Sequence, residues 1–155
     1  MKHRYLFTLE VAPVEVGKTY VELPSHLTLM SRFFSEISPF QLDKASRPLF
    51  ERTPAVQLTF GEIEKLGPKR LTVHLVNHSS ELETLHNELL ALVNSLGVEY
   101  EYPQFVGTGH KPHVTAREGV KFKAGDILVV SCVCLVEVID GRRIIRSKFE
   151  LGKKS

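Results

Sequence analysis

Two short segments constrain this chain more than any others: Ser25-His26-Leu27-Thr28-Leu29 and Pro112-His113-Val114-Thr115-Ala116, each a His-x-Thr step inside an apolar, β-prone run. Side chains of a strand alternate faces, so residues two apart share a side and lie about 6.5–7 Å from one another. His26 therefore stands beside Thr28, and His113 beside Thr115. Leu27, Leu29, Val114 and Ala116 point the other way, where packing under a helix holds each polar pair rigid. One such tripeptide on its own is ordinarily a strand residue with a satisfied hydroxyl. Two of them, in corresponding parts of two half-domains, predict a cleft in which two imidazoles and two hydroxyls face one phosphate. A neutral imidazole accepts a proton, an imidazolium donates one, and a threonine hydroxyl hydrogen-bonds a phosphate oxygen. Such a set handles phosphoryl transfer without a metal.

Composition bounds what surrounds this cleft. The 155 residues, 43% hydrophobic and 25% charged, suit a soluble globular chain able to bury a core, read here as one domain over residues 1–155. A formal net charge of +2 supplies no global field for nucleic acid, so anion binding must come from local Lys and Arg. Cys132 and Cys134, two apart in an apolar run, sit at the limit of strain-free disulfide geometry and read as buried, reduced core residues. The stretch from Met1 to Leu6 has no signal-peptide pattern and no run approaches the length of a membrane span, so the expected location is cytoplasmic, with no membrane partner.

Strands are expected over His3–Val11, Ser25–Met30, Ala55–Glu62 and Lys69–Val76, the last with Leu71, Val73 and Leu75 on one face. Ser38-Pro39 opens a helix whose later part Pro48 should disturb. Ser79 or Ser80 caps a second helix, with a stripe of Leu82, Leu85, Leu89, Leu92, Val93 and Leu96 ended by Gly97. An extended Val98–Tyr102 follows, then a loop containing Gly107 and Gly109, and a strand over Lys111–Arg117. The apolar run Asp126–Ile139 then turns at Asp140-Gly141 into Arg142–Leu151. The order strand, His-x-Thr strand, helix, strand should recur approximately, giving two similar lobes with the histidines at their junction.

The paired motifs, the length and the terminal hairpin resemble the two-histidine (2H) phosphoesterase superfamily, in particular its 2'-5' RNA ligase-like or cyclic phosphodiesterase branch, over nearly the whole chain. The resemblance implies an α+β fold, bilobal and pseudo-symmetric, with two antiparallel sheets flanking a central cleft and helices packed outside. It implies His26 and His113 as the catalytic histidines and Thr28 and Thr115 as phosphate-binding hydroxyls. Ser25 stands where the family usually has an apolar residue, and Ala116 where a larger one is common. The implied activity is metal-independent hydrolysis of 2',3'-cyclic phosphates on nucleotides or RNA ends by a monomer without cofactor. Which histidine is base and which acid stays open at this stage.

Further contacts are expected from Arg32, Lys111 and Arg117, the last two in phase with the reactive pair. Phe33, Phe34, Tyr102 and Phe105 offer rings to a base. No metal site is expected: His74 and His78 fall on a strand and the following turn, without neighbouring Cys or carboxylate ligands. Two other readings remain, a non-catalytic nucleotide- or RNA-binding module using the same cleft, and an interaction module acting through its strands.

Overall fold

The strand that carries His26 is the seam of the architecture. The computed structural model describes residues 2–117 and 121–152. Its strands are β1 (His3–Glu10), β2 (Thr19–Tyr20), β3 (His26–Ser35), β4 (Val56–Leu66), β5 (Leu71–Val76), β6 (Glu99–Tyr100), β7 (His113–Thr115), β8 (Ile127–Val130), β9 (Cys132–Ile139) and β10 (Arg142–Glu150). Two α-helices, α1 (Pro39–Glu51) and α2 (Ser80–Ser95), and two 3-10 turns, Pro103–Phe105 and Gly107–Gly109, complete the described elements. All registered pairings are antiparallel, and the strand order is β2-β10-β9-β1-β3-β7-β5-β4-β8, with β6 also on β3. The fold is α+β. The two expected sheets are joined edge to edge through the single registered pair Leu27–Val114 between β3 and β7. The half-to-half symmetry lies in this sheet order rather than in chain order, because α1 follows its His-x-Thr strand whereas α2 precedes the other.

One face of the sheet is covered by the helices. Tyr5, Phe7 and Leu9 of β1, Leu27, Leu29 and Phe33 of β3, and Val114 of β7 point into this core, against Leu42, Leu49 and Phe50 of α1 and Leu82, Leu85, Leu89 and Val93 of α2. Truncating a fully buried Leu such as Leu27 costs roughly 2–5 kcal/mol, so the floor beneath the motifs is stiff. Helix α1 begins with a capping box in which the Ser38 hydroxyl accepts from Gln41 N–H and the Gln41 side chain accepts from Ser38 N–H. It runs through Pro48 instead of failing there, giving up one backbone hydrogen bond while Leu49 and Phe50 bury immediately after it. Ser79 caps α2.

Three other expectations change. The second strand extends to Ser35 past two bulges, each adding a residue to β3, so the alternation returns to its original phase. The run Asp126–Ile139 is two strands broken at Ser131: β8 pairs with β4 in one half, and β9 with β1 in the other. On β5 it is His74 and Val76 that sit on the core side, with His74 opposite Val114, while Leu71 is exposed. At the β9–β10 hairpin Asp140 and Gly141 both take positive φ, 49° and 74°, as a tight primed turn requires. On the other face of the first half, the 11–25 loop lays Val14 and Leu23 over Leu6, Cys134, Val136, Val138 and Ile145. Among the described residues no helix is long and apolar enough to cross a membrane.

Candidate active site

The register of one backbone pair brings the two motifs together. With Leu27 opposite Val114 in an antiparallel pair, His26 neighbours Thr115 and Thr28 neighbours His113, on the face turned away from the core. Leu27 and Val114 are fully buried beneath, while His26, Thr28, His113 and Thr115 are all partly exposed. The short strand β7 is fixed from its other side by β5, where Val76 N–H donates to Pro112 O and Ala116 N–H to Thr72 O.

Both imidazoles are locked in the same way. His26 Nδ1 lies 2.9 Å from Pro24 O, and His113 Nδ1 lies 2.8 Å from Lys111 O, in each case the carbonyl two residues earlier. A carbonyl only accepts, so Nδ1 carries the hydrogen in both rings and Nε2 is the basic atom of the neutral form. Among the described residues neither Nε2 nor either threonine hydroxyl has a hydrogen-bond partner. Burial holds the His26 imidazole below its ordinary value; the Pro24 bond opposes this, and the charges of Arg117, His113 and Arg143 add to the depression.

The cations expected around the motifs separate into three groups. Arg117 lies nearest the motifs: its charge bears on His26, its Nη1 is 3.3 Å from Glu22, and among the described residues its buried Nε has no partner. Arg32 lies farther along β3, with its guanidinium 5.6 Å from the centre of the Tyr102 ring. The Lys111 side chain turns away to Glu64 at 3.1 Å, and its contribution to the motif is its backbone carbonyl. Arg143, at the start of β10, was not evident from the sequence; its Nη1 donates to Val21 O at 2.6 Å and Gly141 O at 2.9 Å. Burial lowers its pKa, and the charges of Arg32, Arg4 and Arg117 lower it further against the opposing Glu22, the signature of converging guanidiniums. Of the rings, Phe33 is core between Tyr5 and Phe7 and out of a ligand's reach, whereas Phe34 lies under Arg4 and Phe105 is half exposed beside Tyr102.

A second histidine pair supports β3 from its edge. Between the β7 and β6 pairings of β3, two side chains reach the carbonyls of Thr28 and Leu29. His110 Nε2 lies 3.0 Å from Thr28 O and His86 Nδ1 lies 2.7 Å from Leu29 O. His86 Nε2 accepts from Gly107 N–H, and the two rings stack with centroids 4.0 Å apart. Burial keeps both neutral, pushing His110 down to about 4. A Cβ at Gly109 would collide with the Gln104 carbonyl, so this turn needs its glycine. The sequence signal for His86 was its place on the apolar side of α2.

His74 and His78 have separate surroundings. His74 packs edge-on to Phe60 and Phe122, and His78 pairs with Glu83. Among the described residues one group of His, Cys, Asp or Glu side chains is close enough to share an ion, Glu10 with Cys132 and Cys134, and it contains neither motif. Both cysteines are free; Cys134 is buried, but Cys132 is only partly so, which corrects the expectation of two core thiols.

Comparison with solved structures gives the same fold. A phosphoesterase matches at 19% identity over 97% of this chain and 99% of the other, with a TM-score of 0.62. LigT of E. coli in complex with 3'-AMP matches with the same identity, coverage and score. TT0787 of Thermus thermophilus matches at 17% identity over 98% of this chain and 100% of that one, with a TM-score of 0.58. No curated protein sequence matches the chain. The sequence model of the 2'-5' RNA ligase superfamily matches residues 10–126, a span that holds both His-x-Thr motifs. On that match, and with the fold agreeing, the chain belongs to the 2'-5' RNA ligase superfamily, the two-histidine phosphoesterases.

Proposed function

We propose that this protein is a metal-independent phosphodiesterase that opens 2',3'-cyclic phosphates of nucleotides or RNA ends. The observation that carries the reading is the Leu27–Val114 pair, which sets His26 beside Thr115 and Thr28 beside His113, with both Nδ1 atoms tied to carbonyls. A cyclic phosphate seated between the motifs receives hydrogen bonds from Thr28 and Thr115 on its non-bridging oxygens and lies between two Nε2 atoms. Water attacks phosphorus in line, one imidazole takes its proton, and the bond from phosphorus to one ribose oxygen breaks as the other imidazole protonates that oxygen. The product is a 2'- or 3'-phosphomonoester, and the two imidazoles finish with exchanged protonation states. His26, held neutral near pH 7 by burial and by the surrounding positive charge, is the proton acceptor in this direction, leaving His113 as the donor. Arg117 and Arg143 supply positive charge to the phosphate side. Both half-sites come from one chain, which supports a monomer, and the two free thiols fit the reducing cytoplasm. That E. coli LigT has been solved with 3'-AMP, NADP+ and ATP supports a nucleotide ligand here.

The test is hydrolysis of 2',3'-cyclic nucleotides and of an oligonucleotide ending in a cyclic phosphate, in excess chelator. The expected result is turnover with a bell-shaped pH dependence. Saturable binding without product would replace the proposal by the non-catalytic nucleotide-binding module, and turnover only on adding metal would overturn it.

A further inference from the structure

On the cleft-side face of the first half lies a cluster that phosphate chemistry does not use. Cys132 and Cys134 project from the same side of β9, and the register pairs Thr8 with Cys134 and Leu9 with Val133, so Glu10 of β1 lies across from Cys132 on that same side. The two sulfurs and a Glu10 carboxylate oxygen all lie within 4.8 Å of one another. The carboxylate is already oriented: Glu10 Oε2 accepts from Lys148 Nζ at 2.7 Å and from Val14 N–H at 3.1 Å, while Lys148 Nζ also donates to Val14 O at 2.9 Å. Among the described residues Oε1 accepts no hydrogen bond. A small recess lined by Glu10, Val14, Leu23, Cys134 and His26 adjoins the group.

We infer that Glu10, Cys132 and Cys134 form a binding site for a thiophilic divalent cation of the zinc and cadmium class, with two thiolates and one carboxylate as ligands. Geometry favours an ion over a bond between the sulfurs. Alternate residues of a strand stand about 6.5–7 Å apart at Cα, at or beyond the upper limit for a disulfide. A tetrahedral ion with metal–sulfur bonds of about 2.3 Å needs its sulfurs only about 3.8 Å apart, within reach of small side-chain rotations. Charge agrees as well. Two thiolates and a carboxylate carry three negative charges, and a divalent cation together with Lys148 cancels them. Lys148 need not leave, because it holds the oxygen opposite the free one, as outer partners of metal ligands commonly do. Thiolate ligation selects against magnesium and calcium, which take oxygen. Three protein ligands leave the fourth position to water. An ion here fastens β1 to β9 beside the recess that His26 lines.

The chain has only two cysteines, so sulfur-to-cadmium charge-transfer absorption reports this pair and nothing else. Titrating the reduced, full-length protein with Cd(II) should give a band that saturates at one equivalent, is lost on adding excess Zn(II), and is unmoved by Mg(II). Cys132→Ser and Cys134→Ser should each halve the limiting band and weaken binding by at least about a hundredfold, since each removes half of a chelate. Glu10→Gln leaves both sulfurs and should weaken binding about tenfold at an unchanged band. Circular dichroism melting checks that each variant folds; should buried Cys134 not tolerate Ser, the partly exposed Cys132 and Glu10 carry the test. Absence of a stoichiometric band, or affinity untouched by Glu10→Gln, overturns the inference. The readout is binding alone, so its outcome is separate from that of the phosphodiesterase assay.

Discussion

The two His-x-Thr half-sites share one local geometry and differ in their surroundings. In each, an imidazole donates Nδ1–H to the carbonyl two residues back and stands beside a threonine over a buried aliphatic floor. His26, however, stands beside Val14, Leu23 and Pro24 of the 11–25 loop, with Arg117 and Arg143 bearing on it, whereas the hydrogen bond of His113 is exposed and its neighbour Lys111 is turned outward to Glu64. Local sequence sets the tautomer, and tertiary context sets the charge. A motif used twice can therefore supply an acceptor and a donor without different side chains.

The sharpest break of this comparison is removal of either ring. His26→Ala and His113→Ala should each lower kcat on a cyclic phosphate by at least about a hundredfold, with the double variant little worse than the singles, measured in steady-state assays. A mild loss at one histidine would make the halves unequal in a way the shared geometry does not allow. Thr28→Val and Thr115→Val should each cost about tenfold in kcat/KM, the size of one hydrogen bond to a charged group. Arg117→Gln sharpens the electrostatic difference: removing one positive neighbour should move the His26 titration, followed by NMR, up toward its ordinary value. The change should be smaller than the whole depression, because burial is the leading cause.

The smallest effect is on stability. His86 and His110 are held neutral with pKa values below the unfolded 6.5, His110 at about 4. Their contribution is therefore complete above pH 6.5 and declines as the pH falls toward 4, where the unfolded chain binds protons that the folded one refuses. Urea unfolding should show this decline, and His110→Asn should flatten part of it.

What the sequence made legible was local. The i, i+2 phase of His26 with Thr28 and of His113 with Thr115 needs only a strand, and the Ser38 and Ser79 caps lie within one turn of the residues they cap. What stayed hidden depended on register and on distant partners. Nothing near Arg143 marks it as a neighbour of His26, since the β10 hairpin brings it there. Glu10 faces Cys132 only because β1 pairs with β9 in a particular register. The apolar run Asp126–Ile139 holds no Gly or Pro near Ser131 to mark where the chain crosses from one half to the other. Lys111 shares the alternation of His113 yet follows Glu64, and Phe33 is drawn into the core by Tyr5 and Phe7. His86 is buried by its hydrogen bond to the Leu29 carbonyl of β3, a contact that no local pattern in α2 announces.

Both halves must address one phosphate, and a crystal of the protein soaked with a 3'-phosphorylated nucleotide measures that directly. The expected result is a single phosphate within hydrogen-bond distance of Nε2 of His26, Nε2 of His113 and the hydroxyls of Thr28 and Thr115. A phosphate held by one half alone, or bound away from β3 and β7, would contradict it.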